Sequence, residues 1–420
     1  MSQLSDASVI ERKVMKILFV VPYQFLPPDS GNKNLLYNLL KYATAEASCD
    51  LALLVDDSSA AAVEAALRRE YPALKTVVVF AKPRGIALWT ARICIAAHLY
   101  HPSLGRYLNR ALAAWLTMRT TEKSYDLIHF DMVHTAIYRK FCENAPTLLV
   151  ASDAYSMSAR DARRVVREIG YAARLMVEEW LLKRFEKMEY PRFNMVCAVS
   201  VVDANYLQKI APGAVIRTIG IAVAPEYVER EILHFGRPRL KRRILCTGSI
   251  DHRVVADDLI DFLEKCLPHI RKQYPDVETT VLGRRPAAKL KKCMERATGV
   301  EHVAFVEDYA DFLDQDWVYV YPQRVATGLQ TKVQQAMALG LPVVGYNVSF
   351  GGLSVESGRH CFMCKDINDM SNHVLSLVGD HDLRCALGAA AARHVRENFS
   401  IKKVGDRMFT LYRELCATPT

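Results

Sequence analysis

The sequence predicts an α/β protein built from two doubly wound, Rossmann-like domains. Three observations carry this reading. The chain has 420 residues, enough for two or three domains with sizeable cores. Short apolar and β-branched runs alternate with amphipathic helical segments, as parallel sheets require. The alternation also starts twice, at Lys16 and again at Ile244. Between the two lies 225–243, a linker-like stretch with Gly236, Pro238 and five basic residues from Arg237 to Arg243.

The first half begins with a buried strand over 16–22. Its loop, 23–32, is shaped by Pro27 and Pro28, and Gly31 permits close backbone approach. A helix over 32–44 turns Leu35, Leu36, Leu39, Leu40 and Ala43 inward. The turn lacks the Gly-x-Gly-x-x-Gly fingerprint, which disfavours a dinucleotide cofactor and a dehydrogenase. Strands at 49–55 and 77–80 flank an Ala-rich helix over 59–70. The segment 84–121 then carries Arg84, Arg92, Arg106, Arg110 and Arg119, no acid, and interleaved Trp89, Ile93, Tyr100, Tyr107 and Trp115. It fits an interfacial helix on an anionic membrane, or a packed helix pair with a solvated basic face. Strands over 125–134 and 147–152 bring His129, Asp131, His134 and Asp153 to strand ends, where such sheets meet ligands. A charge-rich helical region covers 159–190, a strand 194–200 and a helix 202–210.

In the second half Gly248 and Ser249 end the first strand and would face the cleft. Further strands fall at 279–283, 303–305, 317–321 and 341–344, with helices at 368–379, 383–398 and 401–415. The central unit is 317–345. Pro322 ends its strand, and a helix runs from Gly328 to about Leu339, with Gly340 as its C′ residue and Pro342 beyond. The N–H groups of Leu329, Gln330 and Thr331 would be free donors at a positive helix end that accepts a phosphate. Arg324 and Lys332 bracket that turn, and both can neutralise a diphosphate. The alternative is a plain β-α-β unit with a solvated Lys and Arg.

Composition narrows the class. Apolar content of 51% and charge of 24% are ordinary for a globular protein. No apolar run approaches the roughly 20 residues of a membrane span. Residues 1–13 have no apolar stretch of the signal-peptide kind, so a cytoplasmic location is expected. The net charge is +9, without a nucleic-acid-binding motif. Eleven Cys are scattered; Cys361-x-x-Cys364, with His360 and His373 nearby, has no second pair at zinc spacing. Asp314-Gln-Asp316 has the D-x-D spacing of a metal motif but abuts a strand, so no metal is expected.

The run Pro322…Arg324…Gly328-Leu-Gln-Thr-Lys332…Ala336-Met-Ala-Leu-Gly340-Leu-Pro342-Val-Val344 resembles the donor-nucleotide motif of GT-B glycosyltransferases of family 4, of the bacterial exopolysaccharide or lipopolysaccharide type. The loop Pro27-Pro-Asp-Ser-Gly31-Asn-Lys33 is similar to the first loop of the same branch. The resemblance implies two Rossmann-like domains facing a cleft. They would be an acceptor-binding domain over 1–222 and a donor-binding domain over 223–400, with a helix over 401–420 crossing back to the first. It implies transfer of a hexosyl group from a nucleotide diphosphate-sugar (UDP- or GDP-linked) to a glycan or lipid-linked acceptor. Retention of configuration is implied, with no cofactor and no nucleic acid. Peripheral contact with an anionic membrane through 84–121 would fit.

The resemblance also distributes roles. Gly31 and Asn32 would approach the donor phosphate. Gly248 and Ser249 would face the cleft, with Arg253 and Lys332 holding phosphate. Asp308 would flank the nucleobase, and Gly351 and Gly352 would reach the donor sugar. By their place at strand ends, rather than by the resemblance, His134 or Asp153 would contact the acceptor hydroxyl or the transferred sugar. The family's paired glutamates are replaced by Thr327 and Gln335. An amide still bonds a ribose hydroxyl, but without charge assistance. That departure leaves open a catalytically impaired protein that acts as a binding or assembly partner.

Overall fold

The computed structural model describes residues 14–28, 31–56, 60–122, 125–166, 168–230, 242–313, 317–325 and 328–417. Two sheets form, and every strand pair in both is parallel. The first sheet contains β1 (Lys16–Val21), β2 (Ser48–Val55), β3 (Thr76–Ala81), β4 (Leu127–Asp131), β5 (Thr147–Ser152), β6 (Met195–Ala198) and β7 (Ile216–Thr218), in the order β3-β2-β1-β4-β5-β6-β7. The second contains β8 (Arg243–Thr247), β9 (Glu278–Leu282), β10 (Val300–Val303), β11 (Val318–Tyr321), β12 (Val343–Tyr346) and β13 (Phe362–Cys364), in the order β10-β9-β8-β11-β12-β13. In each sheet the order reverses beside the first strand, so the loops after β1 and β4, and after β8 and β11, diverge and leave a crevice at the carboxyl ends.

Burial explains the apolar runs. Ile17 to Val21 are fully buried because helices cover both faces of the sheet. Edges were harder to place. The strand expected at 303–305 is Val300–Val303, a half-exposed edge read as Val-Glu-His-Val. The strand expected at 341–344 begins two residues later, at Val343. Strand β7, Ile-Arg-Thr, has no apolar run and was not foreseen.

The helices that matter below are α1 (Gly31–Glu46), α2 (Gly85–Ala97), α3 (Arg110–Glu122), α4 (Ile169–Glu189), α5 (Val201–Ile210), α6 (Arg253–Asp261), α7 (Thr331–Ala338) and α8 (Ile401–Ala417). The helical region expected over 159–190 is two helices, Tyr155–Val165 and α4.

The two sheets share one continuous apolar cluster. It runs from β1 through the crossing segment Ile219, Ile221 and Val223 to Val333 and Met337 of α7. Gln334 Nε2 donates to the Ile221 carbonyl at 2.9 Å, which ties α7 to that segment. Helix α8 lies against α1 and reaches β4. The His129 ring is not at a cleft, as its place near a strand end suggested. It is fully buried, and its Nδ1 meets the Tyr412 hydroxyl of α8 at 2.7 Å.

Candidate functional site

The site forms where the carboxyl ends of the two sheets face each other. Helix α7 opens at Thr331 with Gln330 as N-cap, three residues after the expected start at Gly328. The free donors of its first turn are therefore the N–H groups of Thr331, Lys332 and Val333, rather than those of Leu329, Gln330 and Thr331. Leu329 is buried in the shared cluster, and the Gln330 Oε1 accepts from the Tyr321 hydroxyl at 2.9 Å. Gly328 holds φ +66°, and its N–H donates to Asp203 Oδ2 at 3.0 Å. A β-carbon there would overlap the Asp153 carboxylate, so only glycine fits on both counts.

Two helix N-termini converge here. Gly31 begins α1, and a β-carbon on it would come within 2.9 Å of Thr331 Cγ2 at the start of α7. Neither partial positive end is neutralised by an acid of its own first turn. The Lys332 ammonium stands beside them, mostly buried, with no hydrogen bond or ion pair among the described residues. Burial pushes its pKa down, and the Asp251 charge opposes that shift. A partly dehydrated cation beside two helix ends is matched to a compact dianion. Asn32 lies in the first turn of α1, and its carbonyl accepts from the Tyr23 hydroxyl at 3.2 Å.

The other donor-side candidates divide. Gly248 is packed so closely that a β-carbon would meet Val255 Cγ1 at 2.9 Å, while Ser249 beside it is exposed. Gly351 lies near the Gly328 carbonyl, and Gly352 lies against Val199 and Ser200 of the first domain. Gln335 is half-buried. Arg324 is committed elsewhere: its Nε donates to Asp258 at 2.5 Å and its Nη2 pairs with Asp261 at 3.0 Å. That clamp fixes the strand–helix turn and occupies the Arg324 guanidinium. Arg253, at the start of α6, is exposed and pairs with Glu168 of the first domain. Asp308 accepts from the Asp311 N–H at 2.8 Å and faces Arg230 at 3.8 Å, a capping role at this position. Thr327 and the Asp314–Asp316 motif lie outside the described residues. Cys361 and Cys364 are buried free thiols, and His373 stacks on Phe362.

The first domain contributes buried titratable groups. Asp153 follows Ser152, whose φ is +60°, and Asp131 precedes Met132, also at +60°. Left-handed backbone at two non-glycine residues is strain held at strand ends that aim side chains inward. Burial pushes the Asp153 carboxyl up to about 7, and the Asp203 charge adds to the shift. Asp131 is likewise pushed up to about 7 by burial, although the Tyr23 hydroxyl donates to it at 2.6 Å. His134 lies under the Tyr107 ring, with centroids 4.1 Å apart, and edge-on to Tyr155. Its Nδ1 has no partner among the described residues, and burial, aided by the Lys82 charge, lowers its pKa to about 4. It is a neutral imidazole at pH 7, suited to hydrogen bonding rather than to carrying charge.

Asp203 was missed and is central. Its carboxylate accepts from the N–H of Ala154 at 2.9 Å, from the N–H of Gly328, and from the Ser200 hydroxyl. It links the loop after β5 to the turn before α7. The Ser200-x-x-Asp203 spacing ahead of an apolar helix is a capping-box signal that could have drawn attention to it.

Solved structures share this fold across nearly the whole chain. Anabaena HepE, solved with UDP, superposes with a TM-score of 0.60 at 15% identity, covering 95% of this chain and 100% of its own. A glycosyltransferase from Rickettsia africae gives 0.65 at 11% identity, covering 97% and 100%. Sucrose-phosphate synthase from Thermosynechococcus elongatus gives 0.62 at 17%, covering 96% and 99%. The fold is GT-B. Residues 241–380, most of the second GT-B domain, match the family described as Glycosyl transferases group 1. An uncharacterized glycosyltransferase of Haemophilus influenzae is 26% identical over 151 residues, spanning 34% of this chain and 42% of that protein.

Proposed function

We propose that this protein is a retaining, metal-independent glycosyltransferase. It moves a hexosyl group from a UDP- or GDP-linked sugar to a glycan or lipid-linked acceptor, in the cytoplasm at the inner face of the plasma membrane. One observation carries the reading: two helix N-termini and the Lys332 ammonium meet at the carboxyl ends of facing sheets, with buried carboxyls opposite. The HepE relative was solved with UDP and with UDP-glucose, which supports the same donor chemistry.

In the reaction the acceptor oxygen bonds to the anomeric carbon as the bond from that carbon to the diphosphate oxygen breaks. The acceptor proton passes to the departing phosphate oxygen. Negative charge grows on the diphosphate, and Lys332 with the first turns of α1 and α7 stabilises it. Preorganised donors of this kind contribute about 3 kcal/mol each to lowering the barrier. Asp153 lies against Gly328, where it would accept from a hydroxyl of the transferred sugar, and His134 would meet the acceptor.

A second reading, an impaired GT-B protein acting as an assembly partner, rests on Gln335 in place of the family's glutamate and on Arg253 held by Glu168. Sugar-nucleotide turnover separates the two. Release of nucleoside diphosphate from one donor, raised by Gln335→Glu, supports the enzyme. No turnover from any donor with either side chain supports the partner.

A further inference from the structure

Helix α2 turns an apolar stripe outward. Its buried residues are Ala91 and Ile95, whereas Ile86, Trp89 and Ile93 share the opposite face and are 84%, 67% and 64% exposed. Helix α4 repeats the pattern with exposed Ile169, Met176, Val177 and Trp180 at helical spacing. Exposed Lys183, Arg184 and Lys187 follow one and two turns on. The two stripes are joined. Arg184 Nε donates to the carbonyl of His98, the C-cap of α2, at 3.4 Å. Tyr100, just beyond, packs edge-on against Phe185 of α4 at 4.9 Å. An open cavity of about 530 Å³ lies on this face, lined by Trp89, Arg92, Ile93, Ala96 and His101 among others.

Helix α3 is different. Leu112, Ala113 and Leu116 are buried, and Trp115 packs against Phe80. The membrane-facing segment expected over 84–121 therefore loses α3 and gains α4.

We propose that the joined α2–α4 face docks on an anionic lipid bilayer. Charge complementarity selects that occupant. No acid occurs in α2, and Arg92, Lys183, Arg184 and Lys187 rim the apolar stripes. Of the acids on α4, Glu179 is held by Arg163 at 3.0 Å. Two of the four tryptophans, Trp89 and Trp180, lie on this face with bodies suited to the depth of lipid headgroups. The face ends beside Glu168, which reaches across to Arg253 of the second domain. An acceptor held in the bilayer would thus arrive at the mouth between the domains. This last step rests on the transferase reading; the docking surface does not.

The test is flotation of the full chain with phosphatidylcholine vesicles, with and without one third phosphatidylglycerol. Binding is expected only to the anionic vesicles and should fall with added salt. Trp89→Glu and Trp180→Glu should each weaken it by about tenfold or more, because a charge replaces an inserted ring. Phe305→Glu, at an exposed apolar residue of the second domain, should not. Trp89→Phe/Trp180→Phe should still float but lose the blue shift of tryptophan emission on vesicle addition. No flotation, equal binding to neutral vesicles, or indifference to both Glu variants would overturn the proposal. So would self-association that Trp180→Glu abolishes while the wild type fails to float. Neither donor nor acceptor is present, so a chain that floats but transfers nothing keeps this surface and loses the proposed reaction.

Discussion

The two walls of the cleft, which the proposed reaction assigns to donor and acceptor, are built by different means. On the donor side, α7, α1 and Lys332 present backbone N–H groups and one ammonium, and the spacing from Pro322 to Val344 sets most of the geometry. Opposite them, Asp131 and His134 share the segment after β4, Asp153 follows β5 and Asp203 lies in the first turn of α5, so three separate segments contribute, and burial raises the Asp131 and Asp153 carboxyls. A diphosphate has one charge pattern, and a short local motif can meet it. An acceptor varies, and the groups that meet it are assembled only when the sheet closes.

The sharpest way to break this comparison is Lys332→Ala. Saturating nucleoside diphosphate, at about 100 times Kd, should raise wild-type stability by roughly 2.7 kcal/mol and the melting temperature by several degrees. In Lys332→Ala that shift should vanish and turnover fall by about 10²-fold or more. A variant that keeps the shift with every nucleotide would move the anion site off α7.

Next in size is Gly328→Ala, where the left-handed backbone and the overlap with Asp153 act together. It should cost more than about 1 kcal/mol in thermal unfolding and lose turnover as well. Asp203→Ala should follow at about 1–3 kcal/mol, since it strands the buried N–H groups of Ala154 and Gly328. Its signature is a loosened domain boundary, read as faster hydrogen exchange at Gly328 and Ala154.

Asp153→Asn tests the wall opposite α7 through pH. The folded carboxyl titrates near 7 against an ordinary 3.8. The folded state therefore binds the proton more tightly between those values. The stability this adds is fully present below about 3.8 and is lost as pH rises toward 7. Melting temperature against pH should decline more steeply across that window in wild type than in Asp153→Asn. Equal slopes would place the Asp153 carboxyl in contact with solvent.

The smallest effect belongs to Arg253→Ala. Its partner Glu168 is exposed, so melting temperature should not move measurably. A large loss of turnover with unchanged nucleotide binding would mean that Arg253 leaves Glu168 for the diphosphate during reaction.

These contrasts mark what could be read in advance. Buried strands such as β1 and β11 were legible because both faces are covered and their apolar runs are unbroken. Edge strands β7 and β10 were not, because half their residues face water. The close backbone approaches at Gly31 and Gly328, and the place of Lys332 in the first turn of α7, were legible from local spacing. The commitment of Arg324 to Asp258, 66 positions away, was not, since nothing local marks a carboxylate as its partner. Asp203 escaped for the same reason, although the Ser200 cap that accepts from its N–H is local.

Helix α8 has a consequence for how the chain is made. It delivers Met408, Phe409 and Tyr412 into the core that β1 and α1 begin, and Tyr412 meets His129 across 283 positions of sequence. The first domain to leave the ribosome is therefore the last to be finished. Until α8 emerges, His129 has no hydroxyl to meet and the apolar wall beside α1 stands open to water. During synthesis that groove is the surface a chaperone would find, and the second domain folds beside a neighbour still waiting for its final helix.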